Sequence, residues 1–370
     1  MKAAVMHEIG ADLSIEEVAV DAPGPHEVLV RTVACGVCHS DLHILEGKLP
    51  YPLPTVLGHE PAGIVLEVGS QVSQFAPGDH VIGCLSVFCG QCEYCADGRP
   101  NLCGGAATAR AAEAPPRLSL NGAPLNQFTH LSAFAERMLV HENALVKIRD
   151  DMPLDRAALI GCGITTGLGA ALNRARVRAG RTAAVIGCGG VGLAIVQGCR
   201  IAGAARIFAV DTVPWKLELA RQLGATDTVD PSAGSPVKRV LSATGGGVDY
   251  AFEAIGLPAT AAQAVSMARA GGTAVLVGVL PAGETVAISG ADLIFREKAI
   301  LGCMMGTNRF RVDMPRYVDL YLSGRLKLDE MISARVPLER VNDSFAAMKN
   351  GEVARSVIVF DESVAGRKAL

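Results

Sequence analysis

The sequence predicts an α/β protein of two domains, one β-rich and one built on a doubly wound parallel sheet. Three observations predict it. The chain has 370 residues, half of them hydrophobic and only 19% charged, which is enough to bury two cores of ordinary size. Its first part is punctuated by Gly and Pro between short β-branched runs. Its middle alternates apolar strands with helical stretches, the sign of a parallel sheet covered on both faces.

In the first part, Val28 to Val33 alternates poorly but is β-branched, like a strand buried on both faces. Turns are expected at Pro23-Gly24-Pro25, from Pro50 to Pro54, and at Pro77-Gly78-Asp79. The texture changes near residue 164. Arg181 to Gly187 reads as a strand, Gly190 to Ile201 as a helix, and Arg206 to Val210 as a strand ended by Asp211. Pro214 to Leu223 reads as a helix stopped by Gly224. Val248 to Glu253 reads as a strand, Ala259 to Ala270 as a helix, and Gly272 to Val279 as a strand. Beyond about residue 304 the chain turns polar, and the apolar run Ser356 to Phe360 is expected to return to the first domain. The expected division is 1–163 with 305–370 for the β-rich domain and 164–304 for the parallel sheet. Gly104 to Asn126 is expected to be a long surface loop.

The net charge of -3, with no basic block, offers no footprint for nucleic acid. No apolar run reaches the ~20 residues needed to span a bilayer. The N-terminus meets polar groups by His7 and Glu8, unlike a secretory leader, so a cytoplasmic protein with no membrane partner is expected. Seven of the 11 cysteines lie between Cys35 and Cys103. In a cytosolic chain, such clustering points to metal rather than disulfides.

Gly187-Cys188-Gly189-Gly190-Val191-Gly192 is G-x-G-x-x-G between a strand and a helix. Gly187 allows the tight turn, Gly189 lets the backbone approach a pyrophosphate, and Gly192 lets helix and strand pack closely. The helix start then offers N–H groups and a positive dipole end to phosphate. Asp211 closes the next strand, where a carboxylate accepts from the adenosine ribose hydroxyls and repels a 2′-phosphate. This is the fingerprint of a Rossmann domain that prefers NAD to NADP. Lys216 lies close enough in sequence to reach the ribose as well.

Cys89, Cys92, Cys95 and Cys103 lie within fifteen residues. Four thiolates at this spacing close a tetrahedral shell around Zn²⁺ with no open position, a structural site. The alternatives are an iron–sulfur cluster, which favours other spacings and a Pro after the last Cys, or disulfides. A second set is scattered: Cys38 in Gly36-Val37-Cys38-His39-Ser40-Asp41, His59 in Gly58-His59-Glu60, and Cys162 in Gly161-Cys162-Gly163. Two thiols and an imidazole with a fourth position open would make a catalytic zinc site, but spacing alone does not bring them together.

These segments occur in one chain in this order, with Gly163-Ile164-Thr165-Thr166-Gly167 and the closing Gly351 to Ser356. The chain thereby resembles, over its whole length, the zinc-containing medium-chain dehydrogenase/reductase family, in its alcohol dehydrogenase branch. The resemblance implies a GroES-like catalytic domain beside the Rossmann domain, two zinc ions per chain, and hydride transfer between an alcohol and NAD. It implies Cys38, His59 and Cys162 as catalytic-zinc ligands, Asp41 steering His59, and Glu60 beside the metal. Ser40 would accept the substrate's proton and His43 would pass it on. His39 and Arg355 would meet the pyrophosphate, Thr166 would pack on the nicotinamide, and Val277 and Val279 would line the cofactor site.

By the same resemblance, Ser40, Leu85, Phe128, Val279 and Met304 line the substrate channel. Apart from Ser40 these are apolar, so the expected substrate is an uncharged primary or secondary alcohol bulkier than ethanol, bulky or aromatic ones included. Oxidation of a thiol adduct of the S-hydroxymethyl glutathione type stands as the alternative. A non-catalytic zinc and nucleotide-binding protein is the rival of another class. The expected assembly is a homodimer, with a tetramer as the alternative.

Overall fold

Strand-forming residues cluster around Glu27–Val37, which is rich in Val and is buried along most of its length on both faces. In the computed structural model, which describes residues 1–111 and 113–366, the chain divides into two compact units. The first holds 1–162, 309–324 and the chain from Leu328 onward; the second holds 163–308 and 325–327.

In the first unit, Glu27–Val37 pairs antiparallel with Glu60–Val68, Arg137–His141 and Arg355–Val359. His80–Gly83 and Leu145–Lys147 extend one side, and Ile332–Val336 extends the other. The registers set Gly36 opposite Glu60, and Val37 opposite Ser356. The end of one strand and the starts of two others therefore meet at one end of the sheet. Beneath them, Leu57, Leu131, Phe134 and Met138 are fully buried in the core.

The segment from Gly104 to Asn126 is more than a surface loop. Leu118–Leu120 and Ala123–Pro124 form a small sheet with Ala19–Val20. Two arginines tie the segment down. Arg110 Nε donates to both carboxylate oxygens of Glu27 at 2.9 and 3.0 Å, and Arg117 Nε donates to Oε1 at 2.6 Å. Glu27 is buried, and burial pushes its pKa up. The Arg110 and Arg117 guanidiniums and the Gly24 N–H outweigh that and bring it down to about 2.

The second unit carries six parallel strands: β1 (Thr182–Ile186), β2 (Arg206–Val210), β3 (Asp227–Val229), β4 (Val248–Glu253), β5 (Ala268–Leu276) and β6 (Ala299–Gly302). Their order is β3-β2-β1-β4-β5-β6. Helices α1 (Gly190–Ile201), α2 (Pro214–Leu223), α3 (Pro236–Thr244) and α4 (Pro258–Met267) connect the first five. Helix α4 stops at Met267, short of the expected Ala270, because the chain is already paired: Ala268 lies beside Val248. Strand β5 accordingly ends at Leu276, and 277–279 form a turn whose Val277 and Gly278 N–H groups donate to the Glu253 carbonyl. Strands β3 and β6 and helix α3 were not foreseen; β3 has three residues and is mostly polar, and β6, though apolar, has only four. Met305–Asn308 belong to this unit through Gly306, which abuts the Thr165 and Thr166 carbonyls.

Candidate metal centres and nucleotide site

The helix His39–Leu45 starts immediately after Cys38. Its first turn places Asp41, wholly buried, beneath the thiol. Asp41 Oδ1 accepts from His59 Nδ1 at 3.0 Å and from the Gly58 N–H at 3.0 Å, while Oδ2 accepts from the Cys38 N–H at 3.2 Å. This fixes the imidazole with Nε2 directed away from the carboxylate. His59 Nε2 is buried without a well-formed hydrogen bond. One ligand atom from each of Cys38, His59, Glu60 and Cys162 lies within 4.8 Å of the others, all buried.

The electrostatics of this cluster call for a cation. Burial disfavours a charge on His59, but Asp41 and the Cys38 thiol outweigh it and push its pKa up to about 10. Cys38 is held well below the ordinary thiol range, first by the hydrogen bond with Cys162. Two sulfurs, an unengaged imidazole nitrogen and a carboxylate form the donor set of a zinc site.

Glu60 is also ion-paired with Arg355, which is 6% exposed. Gly36 makes room for the pair, since a Cβ there would lie 2.1 Å from Glu60 Oε2. Ser40 and His43 sit one helical turn apart on the helix that begins at His39, both partly exposed, whereas His39 is exposed. Burial and the nearby Lys48 charge lower the His43 pKa below its usual value. Phe128 is buried, and its ring meets His59 edge-on at 5.6 Å. Tyr51 also meets Phe128 edge-on, at 5.1 Å. Its Oη donates to the Gln127 carbonyl and accepts from the Thr129 N–H. Sequence reasoning missed Tyr51; the only available signal was an aromatic set between Pro50 and Pro52. Leu85 packs partly buried on the same core.

Cys89, Cys92, Cys95 and Cys103 also bring their sulfurs within 4.8 Å of one another. Cys92 and Cys95 Sγ are 3.5 Å apart, far beyond the ~2.05 Å of a disulfide. Backbone N–H groups point at the sulfurs: Cys89 and Gly105 N–H at Cys103, and Gln91 and Cys92 N–H at Cys89. Those last two bring the Cys89 thiol down to about 6. Thiolates stabilised by amides at this spacing suit a closed zinc shell.

In the second unit, Gly187 has φ +94, and a Cβ on Gly192 would lie 1.7 Å from the Gly187 carbonyl. Both positions require glycine. A Cβ on Gly189 would meet nothing within 4 Å, which leaves a cradle for a ligand at the start of α1. No side chain caps that helix start, at Gly190, Val191 and Gly192. Asp211 Oδ2 accepts from the Cys188 N–H at 2.7 Å and Oδ1 from the Val213 N–H at 2.9 Å. Lys216 lies partly buried on α2. Thr166 is buried and bonded to Met305, whereas Val279 and Met304 are exposed within the unit.

A family model described as an alcohol dehydrogenase GroES-like domain matches residues 24–150, and one described as a zinc-binding dehydrogenase matches 190–323. The chain belongs to the zinc-binding alcohol dehydrogenase family. It is 42% identical over 369 residues to an alcohol dehydrogenase class-3 from Drosophila melanogaster, with 97% of each chain covered. Its fold is similar to an alcohol dehydrogenase zinc-binding domain protein from Burkholderia ambifaria (TM-score 0.93, 38% identity, 98% and 99% of the chains). It is likewise similar to a benzyl alcohol dehydrogenase from Acinetobacter calcoaceticus (TM-score 0.92, 33% identity, 97% and 99%). As a member of this family the protein is an NAD-dependent alcohol oxidoreductase with two zinc sites, and the non-catalytic reading is set aside. Among the described residues, no helix is long and apolar enough to cross a membrane.

Proposed function

We propose that the enzyme oxidises an uncharged, bulky or aromatic alcohol reversibly to the aldehyde or ketone, with NAD as acceptor. The observation that carries this reading is the Cys38–His59–Cys162 cluster set directly against the aromatic wall of Phe128 and Tyr51. An aromatic ring stacks edge-on against such a wall.

Cys38, His59 and Cys162 are the residues that would hold the catalytic zinc. When bound, zinc acidifies an alcohol hydroxyl and polarises a carbonyl, while NAD takes the hydride. Ser40 Oγ accepts the hydroxyl proton, and His43, on the same helix face, passes it toward solvent. The lowered pKa of His43 keeps its imidazole neutral, and so able to take a proton, at neutral pH. Glu60 and Arg355 balance each other's buried charge, and Arg355 and His39 keep the pyrophosphate role that the family resemblance implies. Gly187, Gly189 and α1 receive the pyrophosphate, Asp211 and Lys216 the adenosine ribose, and Thr166, Val277 and Val279 the nicotinamide. Ile255, Leu257 and Val279, each about half exposed around the carboxyl ends of β4 and β5, supply apolar surface at the point where the strand order reverses.

The second reading is oxidation of a glutathione-type adduct, the alternative that the family resemblance raised. Its substrate carries carboxylates that need cations. Arg110 and Arg117 of the 104–126 segment are engaged by Glu27 and Asp21, which favours the neutral alcohol. Two copies are expected to pair, since β6 is an open sheet edge with Ile294 and Phe295 exposed just before it. A panel of formaldehyde and of primary, secondary, allylic and aromatic alcohols, each with and without glutathione, followed at the NADH absorbance, tests the substrate. Turnover only with glutathione and formaldehyde would overturn the alcohol reading.

A further inference from the structure

Glu253 closes β4 next to β1, at the place where the strand order reverses, and it is wholly buried. Its Oε1 alone accepts three hydrogen bonds: from the Ile255 N–H at 2.9 Å, the Gly256 N–H at 2.7 Å and the Thr260 hydroxyl at 2.8 Å. Its Oε2 is buried with no hydrogen-bond partner among the described residues. A buried carboxylate left half satisfied is costly, and it persists where the surroundings gain from it.

The gain lies in what Glu253 joins. Its side chain folds the 254–256 turn inward and its carbonyl receives the Val277 and Gly278 N–H groups. Ile255, on the first turn, stands where a Cβ on Gly187 would lie 2.6 Å from its Cγ1. Gly278, on the second, packs so closely that a Cβ would lie 2.2 Å from the Gly256 nitrogen and 2.6 Å from Glu253 Oε2. One residue thus sets the spacing between the phosphate turn at Gly187 and the 277–279 turn. We propose that Glu253 is a positioning residue for the cofactor, holding the nicotinamide side of the site in register with the phosphate turn. The inference rests on the placement of the nicotinamide at 277–279.

A positioning role separates the two ends of the cofactor. Asp211, just past the end of β2, marks the adenosine end, on the other side of β1 from Glu253. Glu253→Gln keeps the volume but replaces a charge-assisted acceptor by a neutral one, a loss on the order of tenfold in affinity. By equilibrium dialysis, the Kd of NAD is expected to rise about tenfold, with that of AMP changed less than about twofold. Thr260→Val, which removes one of the three donors, should move NAD in the same direction by a smaller factor and leave AMP alone. Unchanged NAD binding in Glu253→Gln overturns the inference, as does equal weakening of NAD and AMP, the mark of a general loss of structure. Val279→Trp separates the two levels of the argument. If it blocks NAD but not AMP while Glu253→Gln does nothing, the role of Glu253 alone fails. If it too leaves NAD binding intact, the placement of the nicotinamide fails and the inference falls with it.

Discussion

Asp41 is the residue on which the geometry of the catalytic cluster depends, and Asp41→Asn tests that directly. The carboxylate serves three donors, His59 Nδ1, Gly58 N–H and Cys38 N–H, at 3.0 to 3.2 Å, with no access to water. An amide has one acceptor oxygen and one NH₂, so one of its ends must face a donor. Facing the Cys38 side, the NH₂ leaves one buried N–H unmet, at a cost of about 1–3 kcal/mol. Facing His59, it also removes the acceptor that fixes the ring. In the first orientation His59 Nδ1–H keeps only a neutral acceptor in place of a carboxylate, and in the second it has none; loss of such a supporting carboxylate lowers metal affinity about 10–100-fold. Metal content after mild chelation is the assay. The unaltered protein should retain two zinc ions per chain, while Asp41→Asn should retain one and lose alcohol oxidation in step with the other. If Asp41→Asn keeps both ions at the same chelator concentration and keeps its activity, the argument from Asp41 to His59 is wrong.

Cys95→Ser should also leave one zinc per chain, but the opposite one, with a lower melting temperature and activity surviving at low temperature; metal analysis with activity at 10 and 40 °C checks this. Glu27→Gln addresses the clamp on the 104–126 segment. The folded pKa of about 2 lies below the ordinary 4.5, so the carboxylate's stabilisation is fully present above pH 4.5 and lost as pH falls through 2. That displacement corresponds to about 3 kcal/mol at pH 7 and about 1 kcal/mol at pH 3. Urea unfolding of both proteins at the two pH values should show the difference shrinking. Asp211→Asn keeps a side chain able to accept from the Cys188 or Val213 N–H but removes the charge. The ratio of kcat/KM for NAD over NADP should fall about tenfold or more, and an unchanged ratio would remove Asp211 from cofactor choice.

What the sequence disclosed depends on how far apart the cooperating residues lie. The glycine fingerprint and the Cys89–Cys103 spacing act within one turn or one loop, and both were readable locally; α1, β2, β4 and α2 have the expected bounds. The scattered cluster was not readable from spacing, because the pairing of Glu27–Val37 with Glu60–Val68 and Arg355–Val359 brings its surroundings together. The 104–126 segment is mostly the exposed irregular chain expected, but its anchoring was not readable for the same reason: Arg110 and Arg117 find Glu27 more than eighty positions away. Glu253 was visible only as the last residue of a strand, since its function comes from two turns that fold back on it. Register therefore carries information that residue types do not. A slip of one residue between Glu27–Val37 and Glu60–Val68 would turn every side chain of one strand to the opposite face. Glu60 would then leave both Arg355 and the thiols, although no residue in the motif had changed. The bulges between Leu29 and Val30 and between Thr32 and Ala34 pin that register, so substitutions there should disturb the metal centre from a distance, through the strand rather than through any ligand.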